Sequence, residues 1–588
     1  GPYQMDWREF MPIILEYAVY MGFMHRSERT VHEQILFRLD SKSRPVKYHD
    51  IVEGAVVDRD AAEIKKNIHE ATASLQAMGA RPGDRIALVG LNSTRYLVMD
   101  IAIGLVGAVS VPLYYTCPPS DIEGILEDCK ARMLLVGAPG LLDRVKDLPS
   151  DIPVVSFCRG PVPDTIAGKV IGWEAFLDLG RGGASIKTAP IGFGDVATIR
   201  YTSSTTGKPK GVVFKHEGLR WMAESLASLP PWDARNSLVT YLSFLPMNHV
   251  VEGILGTYSP YYAPAPLDIW FLENFRDLQR SLPLARPTIF FSVPRFYEKV
   301  LEGLQENNSY RRFKAMRAGI RKGILRGIIR RAVLKRVGLD RCAQLIVGSA
   351  PCSDDLLRDL RDLGIEVHNA YGLTEAPLVT LNRLGRNRIG TVGEPLLETN
   401  VGIAKDGEVL VNGPQVMAGY LGGSDQPFRD GWLLTGDYGS MTPEGSLIIH
   451  GRKKELIVTS YGKNIYPMKI ETMLEDIPGV VEAMVVGEGR PYCCAIIWVE
   501  RDIGDDVSIT KIDKGIESVN DRLSGPERLK RWAILANDLS IEGGLLTANL
   551  KLKRQKALER LSDVVTALYG EKEAPGAVLH IGATGRGT

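Results

Sequence analysis

The sequence predicts an α/β fold: a large N-terminal domain of layered, mostly parallel sheets and helices with a small β subdomain, then a smaller α+β C-terminal domain. Three observations carry this. At 588 residues the chain exceeds what one hydrophobic core organises, so several units are expected. Short apolar runs at Met133–Val136, Val154–Phe157, Thr288–Phe291 and Leu345–Val347 recur between helical stretches, as buried strands of parallel sheets do. From about Val401 the pattern changes to short strands and turns.

Along the chain, Asp60 to Leu91 is the first legible unit. Asp60 caps a helix whose Ile64, Ile68 and Leu75 share one face, Gly79 ends it, and Arg85–Leu91 follows as a buried strand. Ile101–Leu113 is the most apolar stretch. It is too short to cross a bilayer, and Arg95 and Asp100 precede it, so it reads as buried helix and strand. Gly407–Val411 and Gly445–Ile449 supply strands of the β subdomain, which gives way to a turn-rich stretch near Gly451. Beyond it, Val480–Val486 and Cys494–Val499 are strands between helices in a module of about 110 residues. The expected division is residues 1–451, residues 452–570, and a loose tail over 571–588 that carries Pro, Gly and Thr.

Composition excludes several function classes. Lys plus Arg number 71 against 70 Asp plus Glu, so no global charge favours a nucleic-acid partner. Seven scattered cysteines without a CxxC spacing argue against a disulfide framework or a zinc site. No stretch reads as a membrane span and Gly1–Met5 lacks the basic-then-apolar layout of a signal peptide, so a cytoplasmic location is expected.

The most informative stretch is Tyr201-Thr-Ser-Ser-Thr-Thr-Gly-Lys-Pro-Lys-Gly211. Its hydroxyls (Thr202, Ser203, Ser204, Thr205, Thr206) and the backbone N–H groups up to Gly207 suit a concave cradle for polyphosphate, with Lys210 adding a point charge. It is not a Walker A loop, because Pro209 stands where that motif needs Ser or Thr. The stretch resembles the phosphate-binding signature of the adenylate-forming superfamily of acyl-CoA synthetases, luciferases and peptide-synthetase adenylation domains. Four further motifs follow in that family's order: Asn369-Ala-Tyr-Gly-Leu-Thr-Glu375, Gly431-Trp-Leu-Leu-Thr-Gly-Asp437, Gly451-Arg-Lys-Lys-Glu455 and Leu546-Thr-Ala-Asn-Leu-Lys551.

The resemblance implies ATP, Mg²⁺ and CoA as partners and gives each residue a role. Gly348, Ser349, Ala350, Asn369, Ala370, Tyr371 and Gly372 would hold adenine and its surroundings. Glu375 would bind Mg²⁺ through a hard carboxylate oxygen and Thr374 would donate to the α-phosphate. Asp437, supported by Arg452, would accept from the ribose hydroxyls. Lys551 would be the catalytic lysine, Lys454 the hinge of a mobile lid, and Gly462 would sit beside the CoA tunnel. Two residues depart from the family pattern: Ser204 and Leu550 stand where glycines are usual, and Lys553 is the alternative to Lys551.

Long-chain fatty acyl-CoA synthetases are the members this sequence resembles most, through the hinge segment Gly451–Pro467, through Leu245–His249 and through Arg286–Arg295. His249 is then either on the acyl side or a structural histidine. Residues 311–336 carry eleven basic residues and no acidic one, and Phe313, Met316, Ile320, Ile324 and Ile328 fall on one helical stripe. That run is either an interfacial helix on an anionic membrane or a stripe packed on the domain beneath solvated charges. Arg452 to Pro467 is uninterrupted, which resembles CoA ligases; the alternative is an acyl-AMP ligase that loads a carrier protein or takes a different acid.

Overall fold

A computed structural model describes residues 27–145, 148, 152–181, 190–202, 209–229, 238–305, 307–423, 426–547 and 550–584. In chain order, the strands that frame the candidate site are β1 (Gly211–Lys215), β2 (Ile289–Ser292), β3 (Gln344–Val347), β4 (Val367–Leu373), β5 (Ala376–Leu381), β6 (Gly419–Tyr420), β7 (Trp432–Met441) and β8 (Leu447–Arg452).

The largest sheet has eight strands in the order β6, β1, Val196–Tyr201, Val109–Leu113, Arg85–Gly90, Met133–Gly137, Val154–Ser156 and Val170–Ile171. Its last six strands are parallel, while β1 and β6 join antiparallel at one edge. Burial on both faces explains why these strands read as continuous apolar runs. Helix Ala61–Ala77 forms as its sequence dictates: Asp60 accepts from the Ala62 N–H at 3.1 Å, and Ile64, Ile68 and Leu75 are buried. A second sheet runs Val239–Ser243, Leu267–Leu272, Val46–Val52, Ala55–Arg59. The third runs β2, β3, β4, β5 and Glu394–Pro395; its first three strands are parallel and the rest antiparallel. The expected layers are therefore present, with parallel centres and antiparallel edges.

Asn400–Ile403, Glu408–Asn412, β7 and Phe428–Arg429 make the small antiparallel subdomain, with β8 paired to β7. Past β8 the apolar packing starts anew. Two clusters are built wholly from residues between Ile457 and Ile581, whereas three others draw on Val31 to Ile449.

Two expectations are corrected. The segment expected as a loose tail contains a strand, β9 (Val578–Ala583), that completes the C-terminal sheet after Val480–Val486, Cys493–Val499 and Leu529–Ala536. Gly582 allows it, because a β-carbon there would lie 2.1 Å from the Trp532 indole nitrogen. The basic run is not one stripe either. It divides into α1 (Asn308–Ala315) and α2 (Ile320–Val337), because Met316 takes an extended backbone, and Phe313 is buried rather than aligned with Ile320.

Candidate active site

Ser203, Ser204, Thr205, Thr206 and Gly207 lie outside the described residues, but the base of their loop is defined. The Thr202 N–H donates to the Lys210 carbonyl at 3.0 Å and the Lys210 N–H to the Thr202 hydroxyl at 3.4 Å. The Lys210 ammonium stands over the Tyr420 ring, 4.9 Å from its centre, and the Tyr420 hydroxyl donates to Glu375 Oε1 at 2.7 Å. Pairing explains the cluster. Tyr420 on β6 faces Val212 on β1, the strand that leaves the loop, and the Met417 N–H donates to the Glu375 carbonyl at 2.8 Å.

Thr374 and Glu375 form the tight turn between β4 and β5, where Leu373 pairs with Ala376. Gly372 is required there, since a β-carbon would lie 2.2 Å from the Pro377 carbonyl oxygen. Among the described residues no three His, Cys, Asp or Glu side chains converge as a metal cage. A single hard carboxylate oxygen fits Mg²⁺, which keeps its waters and is commonly shared with substrate phosphates.

At the other end of β4, Asn369 pairs with Val347 at the end of β3, so Gly348, Ser349 and Ala350 leave the sheet beside Ala370. Ser349 sits in the left-handed region at φ +66°, a conformation that side chains other than Gly, Asn and Asp rarely take. Tyr371 points at Asp437: its hydroxyl donates to Oδ2 at 2.5 Å. Asp437 and Arg452 are cross-strand partners on β7 and β8, with Nε 3.0 Å from Oδ1. Asp437 is buried, and that desolvation holds its carboxyl above the usual range although Arg452 opposes the shift.

Lys551 comes to this end from the C-terminal domain. Lys551 is exposed as a residue, but crowding around its ammonium and the charge of Arg452 push it below the ordinary lysine range, while Asp437 and Glu455 act the other way. The Lys551 N–H donates to the Thr547 hydroxyl at 3.0 Å and its carbonyl accepts from the Thr547 N–H at 2.8 Å. Leu550 adopts φ +62° in this turn and is exposed, at the position where the family's glycine is usual. Lys553 instead caps helix Arg554–Arg560, its N–H bonded to the Leu545 carbonyl.

The hinge candidate Lys454 is exposed in the helical turn Lys453–Glu455. Its neighbour Lys453 is tied to the β subdomain, 2.6 Å from Asp406 and 2.8 Å from Glu408. Gly462 stands apart from this cluster. It occupies an exposed hairpin tip at φ +69°, with nothing within 4 Å of a β-carbon.

His249 accepts from the Val251 N–H through Nδ1 at 3.3 Å, and its imidazole is pushed down to about 4 by burial, then by Lys551 and Arg200. Two buried residues that the sequence reading missed fix this segment. Arg200 donates to the carbonyls of Met247 and Asn248 at 3.0 Å and of Gly253 at 2.9 Å. Glu252 accepts from the N–H groups of Phe244 at 3.3 Å and Leu245 at 3.1 Å and from the Tyr241 hydroxyl at 3.2 Å; burial pushes it up to about 7. Beside them lies a small apolar cavity of about 20 Å³, room for roughly one water, whose lining includes Leu226, Val251, Leu255, Ile289, Phe291 and Ile346. Tyr420 was also missed; an aromatic residue in a turn-rich stretch carries no spacing signal.

The AMP-binding enzyme family matches residues 55–421, and the AMP-binding enzyme C-terminal domain matches residues 454–573. The long-chain-fatty-acid–CoA ligase FadD15 of Mycobacterium tuberculosis is 28% identical over 579 residues, covering 90% of this chain and 95% of that one. The long-chain-fatty-acid–CoA ligase ACSBG2 of Rattus norvegicus is 26% identical, covering 85% and 87%. Among solved structures, the adenylation domain of a Mycobacterium chelonae carboxylate reductase superposes with a TM-score of 0.76 at 20% identity, covering 97% of this chain and 98% of that one. The anthranilate–CoA ligase AuaEII, solved with anthranoyl-AMP, gives 0.71 at 19%, covering 92% and 98%.

Proposed function

This chain belongs to the AMP-binding enzyme family, and on that premise we propose that it is an AMP-forming long-chain fatty acid–CoA ligase. A fatty carboxylate attacks the α-phosphorus of ATP, giving acyl-AMP and pyrophosphate; the thiol of CoA then attacks the acyl carbonyl, giving acyl-CoA and releasing AMP. The observation that carries the reading is the joining of Tyr371, Asp437 and Arg452 by hydrogen bond and ion pair, and of Glu375, Tyr420 and Lys210 at the strand that leaves the Thr202–Lys210 loop. The long-chain ligases it resembles along most of their length support the choice of acid.

Two anions must meet in the first step, so positioned cations lower its barrier. Lys551 sits at the reacting oxygens, Lys210 and the hydroxyl loop from Thr202 to Gly207 hold the leaving pyrophosphate, and Thr374 donates to the α-phosphate. Bound by Glu375, Mg²⁺ would neutralise phosphate charge. Tyr420 positions that carboxylate by donating to Oε1, and Glu375 so held would supply the metal with a hard anionic oxygen. Asp437 and Arg452 take the ribose hydroxyls, Gly348 to Ala350 and Asn369 to Gly372 the adenine, and the His249 segment borders the acyl chain.

Residues 1–451 act as the large domain and 452–570 as the lid, with β9 extending the lid sheet beyond that range. Rotation at Lys454 withdraws Lys551 and brings the Gly462 tip toward the CoA path. Among the described residues no helix is long and apolar enough to cross a membrane. A cytoplasmic enzyme with peripheral contact to an anionic membrane through residues 311–336 belongs to the same reading. Pyrophosphate exchange over a panel of acids, followed by a thioester assay with free CoA, tests it. Long-chain acids should be activated and transferred; exchange only with aryl or amino acids overturns the substrate, and adenylation without thioester formation transfers the reading to a carrier-loading acyl-AMP ligase.

A further inference from the structure

Helix α2 carries two apolar stripes. Leu325, Ile329 and Val333, four residues apart, pack in one cluster with Phe313 of α1, Phe290 of β2 and Leu345 of β3. Ile320, Ile324 and Ile328 repeat the same spacing roughly 140° around the helix. They are 85%, 61% and 61% exposed. Seven Lys or Arg residues and no Asp or Glu share the helix, and Arg321, Arg331 and Lys335 fall on or beside the outward stripe.

A domain-packed stripe would bury the second set of isoleucines, and a merely solvated helix face would not contain it. Single exposed apolar side chains need no explanation, but three in register among cations are the pattern of helices that lie in a lipid interface. The geometry points to α2 as a docking surface for an anionic lipid bilayer: Ile320, Ile324 and Ile328 enter the boundary between headgroups and acyl chains, and the flanking cations meet the headgroup anions. A nucleic acid would engage the cations and leave the isoleucines in water.

The place of α2 in the chain gives docking a use. It lies between β2 and β3, which turn Phe290 and Leu345 toward the α2 cluster and Ile289, Phe291 and Ile346 toward the apolar cavity. A surface that holds α2 on the bilayer therefore holds the cavity's own strands near the lipid phase. That use rests on a long-chain acid as substrate; the docking does not.

The test is co-sedimentation of the full chain with vesicles of phosphatidylcholine alone and of phosphatidylcholine with phosphatidylserine. The parent should bind the phosphatidylserine vesicles at least tenfold more tightly, and added salt should weaken that binding. Ile320→Ser/Ile324→Ser/Ile328→Ser and, separately, Arg321→Gln/Arg331→Gln/Lys335→Gln should each lose at least tenfold while keeping the parental thermal midpoint and the activity on detergent-dispersed acid. An environment-sensitive fluorophore on Ile324→Cys should shift to the blue with phosphatidylserine vesicles. Docking is overturned if the isoleucine variant binds as tightly as the parent and the fluorophore does not shift. It is equally overturned if neither protein binds vesicles and the isoleucine variant instead converts a parental dimer to monomers, which would make the stripe an interface between copies. Docking as expected with no activation of long-chain acids would leave the surface standing and remove the substrate reading.

Discussion

The two ends of the reacting centre are held in opposite ways. Asp437 is fixed by a cross-strand arginine, a tyrosine hydroxyl and the Thr435 side chain, and Glu375 by the phenol of Tyr420 and the Met417 N–H, from the segment that pairs with the strand leaving the Thr202–Lys210 loop. Lys551 is held by one short turn whose Leu550 has a backbone angle unfavourable to any side chain. On the function proposed above, sheet residues would hold the nucleotide, while the lysine proposed for the first step rides on a single turn of the C-terminal domain. Each half of that contrast can be attacked by mutation.

Removing the movable cation should have the largest effect. Lys551→Ala should slow adenylation by about 10²–10³, some 3 kcal/mol, yet form thioester from pre-made acyl-AMP and CoA at near the parental rate. Equal loss of both steps would erase the contrast, and a defect in Lys553→Ala instead would move the role to that lysine. The reciprocal variant is Gly462→Leu, which should keep adenylation and lose thioester formation by roughly tenfold or more, since on the proposed lid movement its side chain would fill the pantetheine path. Its left-handed backbone adds strain, so Gly462→Ala is the control: it shares the strain but not the bulk, and it should retain most of the second step.

On the fixed side the effects should be smaller. Tyr420→Phe keeps the ring under Lys210 and deletes the hydrogen bond to Glu375; a bond to a charged group contributes about 1.5–3 kcal/mol. The magnesium concentration for half-maximal pyrophosphate exchange should rise about tenfold, with Mn²⁺–ATP binding measured by calorimetry weakened in parallel and the thiol step unchanged. An unchanged metal requirement would remove Tyr420 from the site's positioning.

Glu252 offers a test of stability. Its carboxyl is raised to about 7, so the folded chain holds a proton that the unfolded chain, titrating near 4.5, has lost. Stability should therefore fall as pH rises from about 4.5 to about 7 and level off above it. Glu252→Gln lacks that loss. The gap in melting temperature between variant and parent should widen in favour of the variant across this window, by the equivalent of roughly 2–3 kcal/mol. A constant gap would mean that Glu252 is not the titrating group. Smallest of all, Leu550→Gly should stabilise the Lys551 turn by about 0.5–1 kcal/mol, detectable as slower hydrogen exchange at the neighbouring amides.

Legibility followed distance along the chain. Asp60 and its helix and the strand cores are local, and the structure places them as read; the five motifs are local too, and the family they point to is the one whose models match the chain. The pairing of Asp437 with Arg452 could be stated as chemistry but not as register, because a β-bulge between Tyr438 and Gly439 decides which residues of β7 and β8 stand opposite. Arg200, Glu252 and Tyr420 escaped notice since their partners lie on other elements and nothing in their own neighbourhood announces a buried charge or a phenol aimed at a carboxylate. Helical periodicity misled at residues 311–336, where it was counted through an extended residue that resets the phase. The strand within the expected tail was hidden because only the Trp532 surface of Leu529–Ala536 makes Val578–Ala583 a strand.

Lys453, anchored to Asp406 and Glu408, works like the last bolt on a stator. If the lid turns about Lys454, torque is stopped at that bolt, and the ribbon carrying Asp437 and Arg452 does not rotate with the rotor. The nucleotide's sugar then keeps its grip through both half-reactions. Release is thereby ordered: the thioester can depart while AMP is still clasped, and AMP should be the last product out.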